Sequence, residues 1–181
     1  MPISRIRLKN WRNFRELDVP LREVSYLLGP NASGKSNLLD VFRFLRDVSK
    51  PRGGGLQTAI ADRGGIRNLR WLLARRDPEV QMDVDFSETA DGPVQWRYLL
   101  AFRPEGKGLH RVLVSREEVW KRGSKILTPP GNGDTGDLAQ LTQTHLEQIQ
   151  ANTKFRDLAT FLANTTYLHL VPHGRQLVVA A

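Results

Sequence analysis

The sequence predicts one α/β (mixed α+β) domain over residues 1–181. Three observations carry that prediction. A glycine-rich loop, Gly29-Pro30-Asn31-Ala32-Ser33-Gly34-Lys35-Ser36, sits between a short apolar run and a stretch of helical periodicity. Residues 79–127 hold alternating apolar and polar runs with short connections, the pattern of an antiparallel meander. Residues 137–164 carry apolar positions at helical spacing in two successive groups, a helical pair.

In chain order, Ile3 to Leu8 reads as an amphipathic strand, with Ile6 and Leu8 on one face and Arg5, Arg7 and Lys9 on the other. Asn10-Trp11-Arg12-Asn13-Phe14 is a turn rich in aromatics and hydrogen-bond donors, and Leu17, Val19 and Leu21 resume the alternation. Val24-Ser25-Tyr26-Leu27-Leu28 is a third strand-like run, so an antiparallel hairpin feeds the loop strand and the sheet is expected to be mixed. Asn37 to Val48 is helical, with Leu38, Leu39, Val41, Phe42, Leu45 and Val48 on one side, and Pro51-Arg52-Gly53-Gly54-Gly55 ends it. Residues 56–76 form a helical excursion broken at Arg63-Gly64-Gly65. Ile66, Leu69, Leu72 and Leu73 give it an apolar side and Arg67, Arg70, Arg75 and Arg76 a basic one; a solvated helix explains the basic side more plainly than one lying on DNA.

In the meander, Val80, Met82, Val84 and Phe86 point inward, and Gln81, Asp83 and Asp85 outward. A metal could take that pair of carboxylates, but solvent-facing charges on a half-exposed strand are the plainer reading. Strands from Val94 to Phe102, Arg111 to Trp120 and Lys125 to Leu127 complete the meander. Thr128 to Asp134 is a polar hinge. Leu138, Leu141, His145, Leu146 and Ile149 mark one helix, and Phe155, Leu158, Phe161 and Leu162 a second. His145 reads as a surface or packing residue, because no second histidine stands at ligand spacing. Thr166 to Pro172 reads as a buried exit strand.

The loop fits the P-loop pattern G-x-x-x-x-G-K-[ST] at every fixed position. Two glycines let successive backbone N–H groups turn toward phosphate oxygens. The Lys35 amine reaches the β- and γ-phosphates, the Ser36 hydroxyl ligates Mg²⁺, and the following helix adds the positive end of its dipole. ATP with Mg²⁺ is the cofactor this chemistry implies, and Asn31, Ala32, Ser33, Gly34, Lys35, Ser36 and Asn37 are its candidate contacts.

The run Ile-Arg-Leu-Lys-Asn-Trp-Arg-Asn-Phe, then Leu-x-Val-Pro-Leu, then Leu-Leu-Gly-Pro-Asn-Ala-Ser-Gly-Lys-Ser-Asn-Leu-Leu-Asp, resembles the N-terminal lobe of RecF/SMC-type ATPases, ABC-class P-loop heads of DNA repair and chromosome proteins. It is most similar to the AAA_15/AAA_21 and OLD-nuclease group, and the likeness covers about residues 3–46. The resemblance implies a P-loop NTPase N-terminal lobe, places Arg12 and Asn13 close to the nucleotide, and puts a glutamine-bearing loop that touches Mg²⁺ near the chain's exit, where Gln176 is the nearby candidate. Trp11 and Phe14 either pack beneath the turn, the plainer reading, or stack on a base.

The same resemblance implies parts that this sequence lacks. Hydrolysis in such ATPases uses an apolar strand ending in Asp-Glu, a Ser-Gly-Gly signature loop from across a dimer and a switch histidine. Val80-Gln81-Met82-Asp83 is too polar for the first, and Gly53-Gly54-Gly55 lacks the serine of the second. The expected object is therefore an ATP-binding lobe whose second lobe is absent, unlikely in itself to hydrolyse ATP, from a parent engaged in DNA repair, DNA maintenance or phage defence. Its partners would be ATP/ADP, DNA, a second lobe or subunit, and a like copy in an ATP-dependent homodimer. The alternative is a non-enzymatic nucleotide- or DNA-binding or assembly module. A transporter nucleotide domain fits less well, since those domains carry an adenine-stacking aromatic before the loop strand and do not begin with Asn-Trp-Arg-Asn-Phe.

Composition agrees. The net charge is +8 and the pI about 10.3. Residues 1–76 carry 16 Lys and Arg against 6 Asp and Glu, whereas residues 77–181 carry 11 against 13, so the positive excess sits with the P-loop half. A basic surface attracts polyanions, nucleotide or nucleic acid. The absence of cysteine excludes disulfides and thiolate metal sites. No apolar run reaches membrane-span length and the first residues lack a signal-peptide core, so the expected location is cytoplasmic.

Overall fold

A computed structural model describes residues 1–74, 77–106, 111–129 and 137–168. The strands are β1 (Ile3–Trp11), β2 (Phe14–Pro20), β3 (Val80–Ser87), β4 (Val94–Pro104), β5 (Val112–Lys121) and β6 (Ser124–Leu127). The helices are α1 (Lys35–Ser49), α2 (Leu56–Ala61), α3 (Ile66–Leu69) and α4 (Arg156–Ala163). The fold is mixed α+β: one sheet ordered β2-β1-β3-β4-β5-β6, with helices on one face.

Alternation sets the layers. Ile6 pairs with Val19 on one side and Val84 on the other, and Leu8 with Leu17 and Met82, so apolar side chains of three strands share one face. That face continues through Tyr98, Leu100 and Phe102 and forms one core with Leu38, Val41, Phe44, Leu45 and Val48 of α1. Phe44 anchors the contact, with its ring 5.3 Å from Trp11 and stacked 5.6 Å from Phe102. Phe161 of α4 meets Phe86 edge-on at 5.7 Å.

The structure corrects several expectations. Residues 24–28 are not a strand, and the sheet is antiparallel throughout its described strands rather than mixed. A strand needs a partner, and no described strand pairs with this run, although the outer edge of β2 is open. Val24, Tyr26 and Leu28 are exposed as a result. The excursion does break at Arg63-Gly64-Gly65, but Leu72 and Leu73 lie exposed beyond its end.

Asp83 and Asp85 do lie on the sheet's other face, yet they are buried there. Arg7 Nη1 sits 2.8 Å from Asp85 Oδ2 and Arg97 Nη2 sits 2.6 Å from Asp83 Oδ2, with Arg7 Nε 3.1 Å from the same oxygen. Arginine stems and guanidiniums cover the pair in place of solvent. No group of His, Cys, Asp or Glu among the described residues is arranged to hold a metal ion.

Residues 137–155 form turns and two 3₁₀ segments (Gln140–Thr142 and Ala151–Phe155) in place of a first helix, while α4 gives the expected second one with Leu158 and Leu162 inward. Side chains divert the backbone donors. Glu117 accepts from the N–H groups of His145 (2.7 Å) and Leu146 (3.1 Å), and Glu147 from that of Thr144 (2.6 Å). Those amides are then not available to a helical ladder. His145 is a packing residue, with Nδ1 3.1 Å from Glu117. Thr166–Leu168 pair with no strand, and the rest of the exit strand, Gln176, and most of the hinge lie outside the described residues.

Candidate functional site

The site begins with the β1–β2 turn. Arg12 and Asn13 close the hairpin between Trp11 and Phe14, and Arg12, the first of the two, adopts left-handed backbone (φ 49°), as does Asn10 at the end of β1 (φ 54°). Asn10 is buried, and its side-chain amide donates to the carbonyls of Asp77 (3.0 Å) and Glu79 (2.8 Å). Arg12 N–H donates to the Leu69 carbonyl at 2.6 Å, and Trp71 N–H to the Asn10 carbonyl at 2.9 Å. The end of α3 thus pins the turn by its backbone.

The turn in turn supports the loop. Trp11 is fully buried and donates Nε1–H to the Asn37 carbonyl at 2.8 Å, so it packs beneath the loop and does not stack on a base. Asn37 Nδ2 donates to Asn13 Oδ1 at 2.7 Å. Gly34, φ 98°, is the N-cap of α1, and a Cβ placed there would lie 2.5 Å from Asn13 Nδ2 and 2.9 Å from Phe14 Cζ. Glycine is required twice at this position, by conformation and by space.

Beyond Gly34 the loop is exposed. Ala32 is also left-handed (φ 64°), so handedness alternates across 32–34 as in an anion nest, while the Ser33 N–H is turned back to the Pro30 carbonyl at 3.3 Å. The first bond of α1 runs from Leu38 N–H to the Gly34 carbonyl at 2.9 Å, so the amides of Lys35, Ser36 and Asn37 lie ahead of the helical ladder. Lys35 Nζ is folded onto its own loop, 2.7 Å from the carbonyls of Gly29 and Pro30 and 3.4 Å from Ser33 Oγ. Six of the seven expected P-loop residues therefore group on one short arc, from Ala32 to Asn37, with Asn13 beneath. Asn31 is exposed at its rim. Free amides, a lysine and a serine hydroxyl at a helix start are a donor set that fits a polyphosphate with Mg²⁺.

Two residues escaped the sequence reading. Asp40 of α1 receives Arg12 Nη2 at 2.6 Å and Arg12 Nε at 3.1 Å, and it also receives Arg63 Nε at 3.1 Å on each oxygen. Asp40 follows Ser36 by four residues, a helical spacing that puts both on one face and was the available signal. Arg63 is almost wholly buried, and nothing in its local sequence marks it.

The chain is similar to several known proteins. Residues 24–166 match the family described as "AAA domain, putative AbiEii toxin, Type IV TA system" (AAA_21). The DNA replication and repair protein RecF of Bacillus mycoides is 28% identical over 89 residues, covering 49% of this chain and 24% of that protein. RecF of Roseiflexus castenholzii is 38% identical over 55 residues, covering 30% of this chain and 14% of that protein. The chain thus spans about a quarter or less of the length of these curated relatives. A solved structure from work on ATP-driven dimerization and DNA-stimulated activation of SMC ATPases aligns over 88% of this chain and 98% of its own, at 17% identity and a TM-score of 0.42. With the family match running from the segment before the glycine-rich loop through α4, the chain belongs to the AAA_21 family of AAA domains.

Proposed function

We propose that this chain is the nucleotide-binding lobe of a RecF/SMC/OLD-like ATPase, taking Mg-ATP or Mg-ADP at residues 31–37. The observation that carries the reading is the left-handed Gly34 at the start of α1, clamped from below by Asn13 and Phe14. The amides of Lys35, Ser36 and Asn37, which lie ahead of the helical ladder, would hold phosphate oxygens. Lys35 exchanges two carbonyl partners for phosphate charge, a charge-assisted bond stronger than the ones it leaves. The Ser36 hydroxyl would hold Mg²⁺, which would supply charge neutralisation to the phosphates when bound. Arg12 and Asn13 flank the phosphates, and Gln176 is a further candidate toward the metal.

The parent protein would act on DNA in repair, maintenance or phage defence, as the RecF relatives' name and the surplus of basic residues in 1–76 suggest. The lobe would be completed by a second lobe or subunit, and ATP would join two like heads. The exposed run 24–28 supports this, together with a groove of about 300 Å³ lined by Ile3, Leu21, Leu27, Leu39, Phe42 and Phe161. Localisation in the cytoplasm follows from such a role; no helix among the described residues is long and apolar enough to cross a membrane.

A second reading, a module that binds nucleotide without hydrolysing it, rests on β3. Its acidic pair is engaged by Arg7 and Arg97 on the face away from α1 and supplies no water-orienting carboxylate. Calorimetry with Mg-ATP and Mg-ADP, with turnover followed on the same sample, tests the site that both readings share. Binding that Lys35→Ala abolishes is expected, with no turnover above that control. Binding unchanged by Lys35→Ala would overturn the site, and clear turnover would show a catalytic carboxylate within this chain.

A further inference from the structure

Arg63 stands at the break between α2 and α3, with its guanidinium 5.2 Å from the centre of the Phe44 ring. Its side chain is 6% exposed. Every nitrogen is engaged: Nε on both Asp40 oxygens at 3.1 Å, Nη1 on the Ala59 carbonyl at 2.8 Å, Nη2 on Asp47 Oδ2 at 3.0 Å. A guanidinium so placed is fixed, and it fixes what it binds. Asp40 is the link outward, because its Oδ2 also carries Arg12. Arg12 spends its Nε and Nη2 edge there, and its Nη1 has no hydrogen-bond acceptor among the described residues. Arg12 is a quarter exposed, and the same excursion holds its backbone through Leu69.

We propose that Arg63 is a positioning residue for the phosphate site: it locks the Asp40 carboxylate on which Arg12 rests, and so fixes the Arg12 guanidinium in the turn whose next residue, Asn13, supports Gly34 and Asn37. The segment 56–70 thereby controls Arg12 twice, by main chain and by side chain. Any partner that shifts this segment would change nucleotide affinity without touching the P-loop. The inference rests on the nucleotide reading above. A lysine could not replace Arg63, since a point charge cannot bridge Asp40 and Asp47 in one plane.

The test is a double-mutant cycle on the 181-residue chain, read as Mg-ATP affinity. Arg63→Gln is expected to weaken binding about fivefold when Arg12 is present and less than twofold in an Arg12→Ala background, a coupling of the size seen between residues in one network. Asp40→Asn keeps the shape, loses the charge and is expected to show the same dependence on Arg12; it carries the cycle if Arg63→Gln does not fold. Equal losses with and without Arg12 would mean that Arg63 is a core staple only, and the proposal would fall. The Arg12 Nε–H resonance, assigned with Arg12→Lys and followed without nucleotide, separates the two levels. A resonance unmoved by Arg63→Gln, with Lys35-dependent binding intact, overturns positioning alone. A resonance that moves in a protein that binds no Mg-ATP overturns the nucleotide reading, and the positioning role with it.

Discussion

The β3–β5 meander and the stretch 22–34 are both rich in apolar residues, yet they end in opposite states. In the meander the polar groups close on each other. Glu117 is fully buried and accepts from Tyr98 Oη at 2.9 Å, from two backbone amides and from His145 Nδ1. Burial and the Glu117 charge push the Tyr98 phenol well above its ordinary range, which keeps it a donor. In the loop stretch, Tyr26 and Leu28 are 84% and 91% exposed, and the strongest bonds are those of Lys35 to carbonyls of its own turn. One region is complete in itself. The other presents groups whose best partners are not side chains of the described fold.

The largest expected effect tests the first half of that contrast. Glu117→Ala strands the Tyr98 hydroxyl and two amides in the core, and each buried unsatisfied donor costs roughly 1–3 kcal/mol. Urea unfolding should show a loss on the order of 4 kcal/mol after partial relaxation. A loss below about 1 kcal/mol would mean that the 144–147 segment is not held by this carboxylate.

Lys35→Ala comes next and tests the second half. It should lower Mg-ATP affinity at least about 100-fold, or about 2.7 kcal/mol, since a charged bond to phosphate contributes roughly 1.5–3 kcal/mol. The melting temperature should move by less than about 2 °C, because the lysine bonds only exposed loop carbonyls. A large thermal shift with unchanged affinity would reverse the contrast.

On the far face of the sheet the carboxylates are held by arginines. Burial alone would raise the Asp83 carboxyl, but hydrogen bonds from Arg97 and Arg7 outweigh it and hold the group below the usual carboxylate range. A carboxyl whose folded value is depressed stabilises the fold above its unfolded value of about 3.9, and that contribution is lost as pH falls through the folded value. Asp83→Asn should cost about 2 kcal/mol at pH 7, less than a fully buried pair because Arg97 is partly exposed. The difference between wild type and variant should close below about pH 4. A gap that persists at pH 2 would assign the effect to packing.

How much of this was legible follows the same line. The strands of the meander, the hairpin and α1 could be read because alternation and helical spacing are local, and the neighbours that reward them are present. Gly34 and Lys35 could be read because phosphate chemistry fixes their types and spacing. The burial of Asp83 and Asp85 could not, because Arg7 is 76 and 78 residues away and only the β1–β3 register brings them together. Arg63 was hidden for the same reason. The helix expected from Asp137 was lost to Glu117, which lies 28 residues upstream of His145 and takes the amide of that residue that a helix would use. Long-range side-chain bonds to backbone leave no periodicity to detect.

The smallest expected effect is the sharpest discriminator. In a buried strand, truncating Leu28 would cost roughly 2–5 kcal/mol. Exposed as it is, Leu28→Ser or Tyr26→Ser should change stability by no more than about 0.5 kcal/mol. The same substitutions should leave Mg-ATP affinity within about twofold, since neither side chain belongs to the 31–37 arc. If Leu28→Ser destabilises the 181-residue chain by more than about 2 kcal/mol, residues 24–28 are packed in solution, and the loop region is as self-contained as the meander. If it does not, the apolar run is free to meet the second lobe proposed above, and a lobe of that kind added in trans should convert the near-silent substitution into a costly one.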